Sequence, residues 1–260
     1  CFATIGGFAA TRSSGQDSAG YGRFDDMVRG LRAITPAGTL DLGRAPASAA
    51  GPDLRQMLLG SEGTFGVITR VRVRVHPVPQ TTRHEAWSFP DFATGADALR
   101  AVAQTGTGPT VLRLSDEAET GVNLATTQSI GEQQVTGGCL AITVFEGAEA
   151  HVASRHQETR DLLTAMGGTS LGDAAAVAWE HGRFNAPYLR DSLLAAGALC
   201  ETLETATTWS NVPLLKAAVT DDEWRAAAHT LTFTGGLSGA GTSYDVVTTN
   251  STAPIAVSAI

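Results

Sequence analysis

The 260-residue sequence predicts an α+β protein, with an antiparallel sheet covered on one side by helices. Three observations carry that expectation. Residues 67–76 alternate apolar side chains with arginines, the period of a strand. Pro36-Ala37-Gly38 is turn chemistry between two apolar stretches, as in a hairpin. After residue 80, strand and helix patterns alternate along the chain.

Taken in order, residues 26–35 read as a strand through Met27, Val28, Leu31 and Ile34, and 39–42 as its return. Residues 46–51 are small and read as a loop. Asp53 is placed to cap a short helix over 54–59, closed by Gly60. In the strand 67–76, strict alternation puts Val67, Thr69, Val71, Val73 and Val75 on one face. Ile68, Arg70, Arg72, Arg74 and His76 take the other, and Pro77 and Pro79 end the strand. Next come a strand at 85–89 and a helix over 91–104 with Phe92, Ala96, Leu99, Val102 and Ala103 at helical spacing. Strands at 111–114 and 140–145 precede a helix over 148–166 that Gly167-Gly168 stops. Residues 173–196 read as helical with a break at Pro187. From about residue 217 the texture turns to Thr, Gly, Ala and Ser, and 217–260 stays unassigned.

Composition narrows the function classes. The net charge of −8 argues against nucleic acid, which favours a basic face. Cys1, Cys139 and Cys200 are far apart and form no CxxC, so neither a zinc site nor a disulfide framework is expected. A reducing, cytoplasmic setting follows from that usage. No apolar run reaches the ~18 residues of a membrane span, and no signal-peptide pattern opens the chain. The first residue is Cys rather than Met, so a piece of a longer protein is expected. His151 and His156 are five apart, off the i, i+4 spacing of zinc helices, and no metal is expected.

Two segments carry the chemistry. Gly60-Ser61-Glu62-Gly63-Thr64-Phe65-Gly66 and Thr4 to Gly15 both combine glycines with hydroxyls and read as open loops. Glycine lets a ligand approach the main chain, since no Cβ intervenes, and hydroxyls donate hydrogen bonds. Together they suggest an anionic, planar ligand. The plainer readings are a helix end with a turn for the first and a surface turn for the second. Gly235 to Gly241 lacks the lysine of a phosphate loop. Arg70, Arg72 and Arg74 read as a solvated strand face, and His76 as structural.

The ordered series Thr4-Ile5-Gly6-Gly7-x-x-Ala10-Thr11-Arg12-Ser13-Ser14-Gly15, Tyr21-Gly22, Thr35-Pro36-x-Gly38, Gly51-Pro52-Asp53-Leu54, Gly60-Ser61-Glu62-Gly63-Thr64-x-Gly66-Val67-Ile68-Thr69 and Pro77-Val78-Pro79 resembles the FAD-linked oxidoreductases of the vanillyl-alcohol-oxidase, or PCMH-type, family. Within it, Thr11-Arg12-x-Ser14-Gly15 and Gly51-Pro52-Asp53 resemble the branch that makes ether-lipid precursors, and Leu112-Arg113-Leu114, Phe145-Glu146-Gly147, Tyr188-Leu189-Arg190-Asp191 and Glu201-Thr202-x-Glu204-Thr205-x-x-x-Trp209 extend the likeness over roughly residues 1–216. The resemblance implies that 1–80 is the second half of a PCMH-type FAD-binding domain and 81–216 a cap or substrate domain, with 217–260 a divergent tail. It implies FAD as cofactor, held by Thr4, Ile5, Gly6, Gly7, Thr11, Arg12, Ser13, Ser14, Glu62, Gly63, Thr64, Phe65, Gly66, Val67 and Ile68.

By the same resemblance Arg113 and Arg190 bind substrate, as a planar fork suits a phosphate or carboxylate. Their plainer readings are ion pairs, Arg113 with Asp116 or Glu117 and Arg190 with Asp191. The implied reaction exchanges the acyl chain of acyl-dihydroxyacetone phosphate for a fatty alcohol. The alternatives are oxidation of a D-2-hydroxy acid such as lactate or glycolate, or a non-catalytic remnant. A small-molecule lipid precursor or 2-hydroxy acid is the implied partner, with peripheral membrane contact and a homodimer as further expectations. From about Asp221 the sequence leaves the family pattern: neither the branch's catalytic tyrosine nor its histidine-rich loop is matched.

Overall fold

Thr4 starts the first element by capping it. Its hydroxyl accepts the Gly7 N–H at 3.0 Å, and helix α1 (Ile5–Thr11) follows. The computed structural model describes residues 3–43, 45, 48–126, 138–184, 191, 195, 205–220, 230–232 and 245–247. It separates into two units, one of residues 1–84, 105–113 and 143–161, the other of 85–104, 114–142 and 162–260.

In the first unit, one-turn helices α2 (Ser18–Tyr21) and α3 (Phe24–Met27) lead into strand β1 (Val28–Thr35). β1 turns through Pro36-Ala37 into β2 (Gly38–Leu42), with Thr35 opposite Gly38 and Leu31 opposite Leu42. The expected hairpin forms, but Asp26 and Met27 belong to α3 rather than to the strand. After the short helix α4 (Arg55–Leu58), β3 (Val67–Val73) pairs antiparallel with the other edge of β1, giving the order β2-β1-β3. The Asp53 carboxylate accepts the N–H of Arg55 at 3.1 Å, as its position before the helix implies.

The simple alternation expected of 67–76 does not hold. Arg32 faces Arg70 while Ala33 faces Ile68, so Thr69 is an extra residue on β3. Such a bulge resets which face each side chain takes. Ile68 and Val71, three apart, therefore both pack on the core, and Val67 is left 68% exposed. The core beneath this sheet is Ala9, Val28, Leu31, Ala33, Leu58 and Leu59. The strand also stops at Val73; the Arg74 N–H instead reaches the Met27 carbonyl at 2.8 Å.

The expectation of an open loop over 4–15 is likewise corrected. Gly6 and Gly7 disfavour a helix intrinsically. Burial of Ala9 and the Thr4 cap outweigh that preference, and Gly6 lies so close to the Ile68 carbonyl that a Cβ would touch it at 3.4 Å.

Strands β4 (Thr81–Phe89), β5 (Val111–Ser115), β6 (Cys139–Gly147) and β7 (Thr169–Gly172) form a second sheet in the order β5-β6-β4-β7. β4 begins four residues before the sequence pattern shows it, because Thr81 to His84 lack apolar alternation. β7, absent from the sequence expectation, pairs antiparallel with β4, Trp87 opposite Ser170. Helices α5 (Phe92–Thr105) and α7 (Glu149–Ala165) form where the periodicity places them. Helices α6 (Glu117–Thr126) and α8 (Ala174–Gly182) complete this part, and α9 (Val212–Thr220) follows a 3-10 turn at Trp209–Asn211. Gly95 of α5 sits against Leu114, and Gly168 against the Phe89 ring; a Cβ at either would come within about 3 Å of its neighbour. Beyond α9, β8 (Thr230–Thr232) and β9 (Asp245–Val247) pair antiparallel in the stretch left unassigned by the sequence. Among the described residues, no helix is long and apolar enough to cross a membrane.

Candidate functional site

The two segments that stand out in the sequence come together within the first unit. In the last turn of α1 the carbonyls of Ala9 and Ala10 accept from the N–H groups of Gly60 (3.1 Å) and Glu62 (3.0 Å). Helix ends carry carbonyls without intrahelical partners, and here the second segment supplies the donors.

Arg12 closes the arrangement. It sits in the left-handed region (φ +50°) just after α1. Its Nε donates to the Leu59 carbonyl at 2.9 Å, and its Nη2 to the Gln56 carbonyl and Oε1 at 2.8 and 3.0 Å. Its Nη1 lies 3.6 Å from the buried carboxylate of Asp25, which Arg23 also meets at 2.8 Å. The Arg12 guanidinium thus ties α1 to the end of α4.

The hydroxyls of the first segment serve its own backbone. Thr11 donates to the Gly7 carbonyl at 3.0 Å and shares a 2.8 Å bond with the Ser13 hydroxyl. The Ser13 N–H donates to the Phe8 carbonyl, and the Ser13 carbonyl accepts from Phe24. Ser14 is exposed.

The second segment is the more open. Gly63 has φ +88° and no heavy atom within 4 Å of where a Cβ would stand, so bare main chain faces open space. Thr64 donates its N–H to the Ser61 carbonyl at 2.9 Å, which makes a tight turn. Gly66 (φ +155°) is pressed against β1, where a Cβ would run into the Ile34 carbonyl. Ile5, Phe65 and Val67 are exposed apolar side chains of the same unit. Bare backbone beside apolar surface is what a flat ring system with polar edges needs, so these residues fit a flavin.

Arg113 lies half-buried on β5, projecting from the sheet face opposite to Leu114. Arg190 lies outside the described residues.

Two groups carry no role in the sequence expectation. The Tyr21 hydroxyl donates to Glu146 Oε2 at 2.7 Å, and its ring packs on His76 at 5.1 Å. Burial, reinforced by the Glu146 carboxylate, pushes the phenol up to about 12. Tyr21-Gly22 and Phe145-Glu146-Gly147 were both marks of the family series; only the fold reveals that they meet.

The other group lies in the second unit. Lys216 Nζ is 2.9 Å from Asp116 Oδ2 and 4.8 Å from the centre of the Phe92 ring. Burial works against the Asp116 carboxylate, but the Glu119 N–H and the Lys216 ammonium outweigh it and hold the carboxyl below its ordinary range. A cavity of about 420 Å³ beside them is walled by Phe92, Trp209, Val212 and Pro213. Cys139, a free buried thiol, is pushed up to about 12 by burial and then by Glu117, so it stays protonated and unreactive. Among the described residues no cluster of His, Cys, Asp and Glu is arranged to hold a metal ion.

A fold of this kind, with a glycine-lined grip ahead of a helix-covered sheet, defines a flavoprotein class, and sequence comparison agrees. Residues 78–237 match the C-terminal domain of FAD linked oxidases, and residues 1–42 match an FAD binding domain. The chain belongs to the FAD-linked oxidase family, whose cofactor is FAD.

It is similar to the alkyldihydroxyacetonephosphate synthase of Dictyostelium discoideum, 34% identical over 232 residues that cover 82% of this chain and 38% of that protein. The mitochondrial cytochrome D-lactate dehydrogenase of Arabidopsis thaliana is 32% identical over 172 residues, covering 65% of this chain and 30% of that one. A solved structure of alkyldihydroxyacetonephosphate synthase superimposes with a TM-score of 0.65 at 35% identity, covering 74% of this chain and 37% of the other. p-Cresol methylhydroxylase, at 17% identity and a TM-score of 0.51, shares the fold alone. This chain spans less than two-fifths of the length of the synthases it matches.

Proposed function

We propose that the protein carrying this chain is an FAD-dependent enzyme that exchanges the acyl chain of acyl-dihydroxyacetone phosphate for a fatty alcohol. One observation supports this most. The two glycine-and-hydroxyl segments of the family series are joined through main-chain bonds from Gly60 to Ala9 and from Glu62 to Ala10, and Arg12, one of the marks of the ether-lipid branch, ties the first segment to Gln56 and Leu59. The similarity to alkyldihydroxyacetonephosphate synthases across four-fifths of the chain points the same way.

In this reading the open main chain at Gly63 and the neighbouring Thr64 to Ile68 hold the flavin, with Thr4 to Gly7 and Thr11 to Ser14 beside them. Arg12 acts as the strut that keeps the two segments together. FAD, when bound, supplies the electron-accepting and electron-donating centre. Arg113 and Arg190 grip the substrate phosphate with their forks, fixing where the carbon skeleton lies. Residues 1–80 form the second half of the FAD-binding domain, 81–216 the substrate domain and 217–260 a divergent tail. A cytoplasmic location, a homodimer and contact with a membrane that delivers the fatty alcohol belong to the same reading. The D-lactate dehydrogenase similarity supports a second one, oxidation of a D-2-hydroxy acid at the same arginines.

The test is spectroscopic and kinetic. The protein purified with FAD is expected to show flavin bands that D-lactate and glycolate do not bleach. Arg113→Lys is expected to lower turnover of acyl-dihydroxyacetone phosphate about tenfold, by loss of the bidentate fork, at unchanged FAD affinity. A colourless protein sinks the reading; bleaching by D-lactate transfers it to the second.

A further inference from the structure

We propose that Tyr21 and Glu146 form a positioning pair that sets Arg113 against the flavin-gripping segments. The inference rests on the reading of Arg113 as a phosphate ligand. Tyr21 closes α2, seven residues after Ser14. Its hydroxyl reaches the carboxylate of Glu146 near the end of β6 at 2.7 Å.

The main chain on both sides of that bond is held as well. The Glu146 N–H donates to the Thr110 hydroxyl at 3.2 Å, and the Glu146 carbonyl accepts from Arg155 Nη2 at 2.8 Å. Arg155 Nη1 also donates to the Gly108 carbonyl at 2.6 Å, so one guanidinium spans the approach to β5 and the end of β6.

The neighbour of Tyr21 makes the second connection. The Gly20 N–H donates to the Thr110 carbonyl at 3.2 Å, and the Thr110 N–H donates to the Val144 carbonyl at 2.7 Å. A Cβ on Gly20 would stand 2.6 Å from the Thr110 Cα, so only glycine lets α2 lie against this residue. Thr110 directly precedes β5, and Arg113 lies three residues further on, roughly 10 Å along an extended strand. The chain that leaves the flavin grip is therefore bonded to the root of the strand that presents the arginine. Glu146 and Tyr21 are the charged and the hydroxyl end of that connection, and the bond between an anionic acceptor and a hydroxyl is among the stronger kinds.

The experiment compares the wild-type protein with Tyr21→Phe, Glu146→Gln and Gly20→Ala. Hydrogen–deuterium exchange is followed at the amides of Gly20 and Thr110 to Arg113, without FAD or substrate. Tyr21→Phe is expected to speed exchange there about tenfold. Glu146→Gln, whose amide oxygen still accepts the hydroxyl, is expected to change it less, and Gly20→Ala more. In the FAD-loaded protein, Tyr21→Phe is expected to raise KM for acyl-dihydroxyacetone phosphate about tenfold with FAD affinity unchanged. Unchanged exchange in Tyr21→Phe overturns the pair. Faster exchange with weakened FAD binding and an unchanged KM overturns its link to Arg113. A wild-type protein without flavin bands defeats the functional reading instead, while the exchange data still judge the Tyr21–Glu146 bond by itself.

Discussion

The segments 4–15 and 60–66 look alike as sequence, yet they use their glycines and hydroxyls in opposite ways. In the first, the hydroxyls of Thr4 and Thr11 turn inward and bond to Gly7, and the chain closes into α1. In the second, Gly63 and Gly66 hold positive φ, and one of them leaves main chain facing open space. Composition alone does not separate a capped helix from an exposed turn. What separates them is whether a buried side chain is available to hold the helix down: Ala9 is fully buried, whereas Gly63, Thr64 and Phe65 are all exposed.

The largest expected effect falls on Gly66. Alanine there meets the Ile34 carbonyl and a disfavoured φ at once, so Gly66→Ala is expected to destabilise by about 3 kcal/mol or more. A urea unfolding curve measures it, and a loss under about 1 kcal/mol would mean that β1 yields easily there.

Gly63→Val separates the two roles of glycine. Open space surrounds its Cβ position, so the stability loss should be limited to backbone strain of about 1–2 kcal/mol. FAD binding should nevertheless be abolished, because the branched side chain stands where the ring system approaches. Titration of the folded variant with FAD checks this, and unchanged affinity would remove Gly63 from the cofactor site.

Thr4→Ala removes the cap of α1 and should cost about 1 kcal/mol. Thr4→Ser, which keeps the acceptor, should recover most of it; thermal melts of both variants decide the point. If Thr4→Ala were harmless, α1 would owe its form to packing alone.

The smallest effect lies outside both segments. Asp116, paired with Lys216, has a folded pKa below its unfolded value. Its contribution, on the order of 1 kcal/mol, is full above the unfolded pKa of about 3.9. It is lost as pH falls through the folded value. Asp116→Asn should therefore lower the melting temperature at pH 7, and its effect should shrink as pH falls through the folded value of Asp116.

Much of the fold was legible beforehand. Helix α5 has apolar periodicity, and the β1–β2 hairpin has Pro36-Ala37-Gly38. β7 was not, because four residues of Thr-Ser-Leu-Gly carry no alternation until Ser170 is set opposite Trp87. The candidate cofactor residues were visible as motifs. The role of Arg12 was not, since its partners Gln56, Leu59 and Asp25 are recruited from distant positions.

By itself the sequence determined the class of the chain. Ordered glycines, hydroxyls and arginines are local chemistry, and local chemistry survives in one dimension. Only tertiary structure decided that 5–11 is a helix, that a bulge at Thr69 turns Val67 outward, and that Tyr21 meets Glu146. Each of these depends on a backbone group or side chain far away in the sequence, and a preference of under about 1 kcal/mol per residue yields when such a partner can be buried against it.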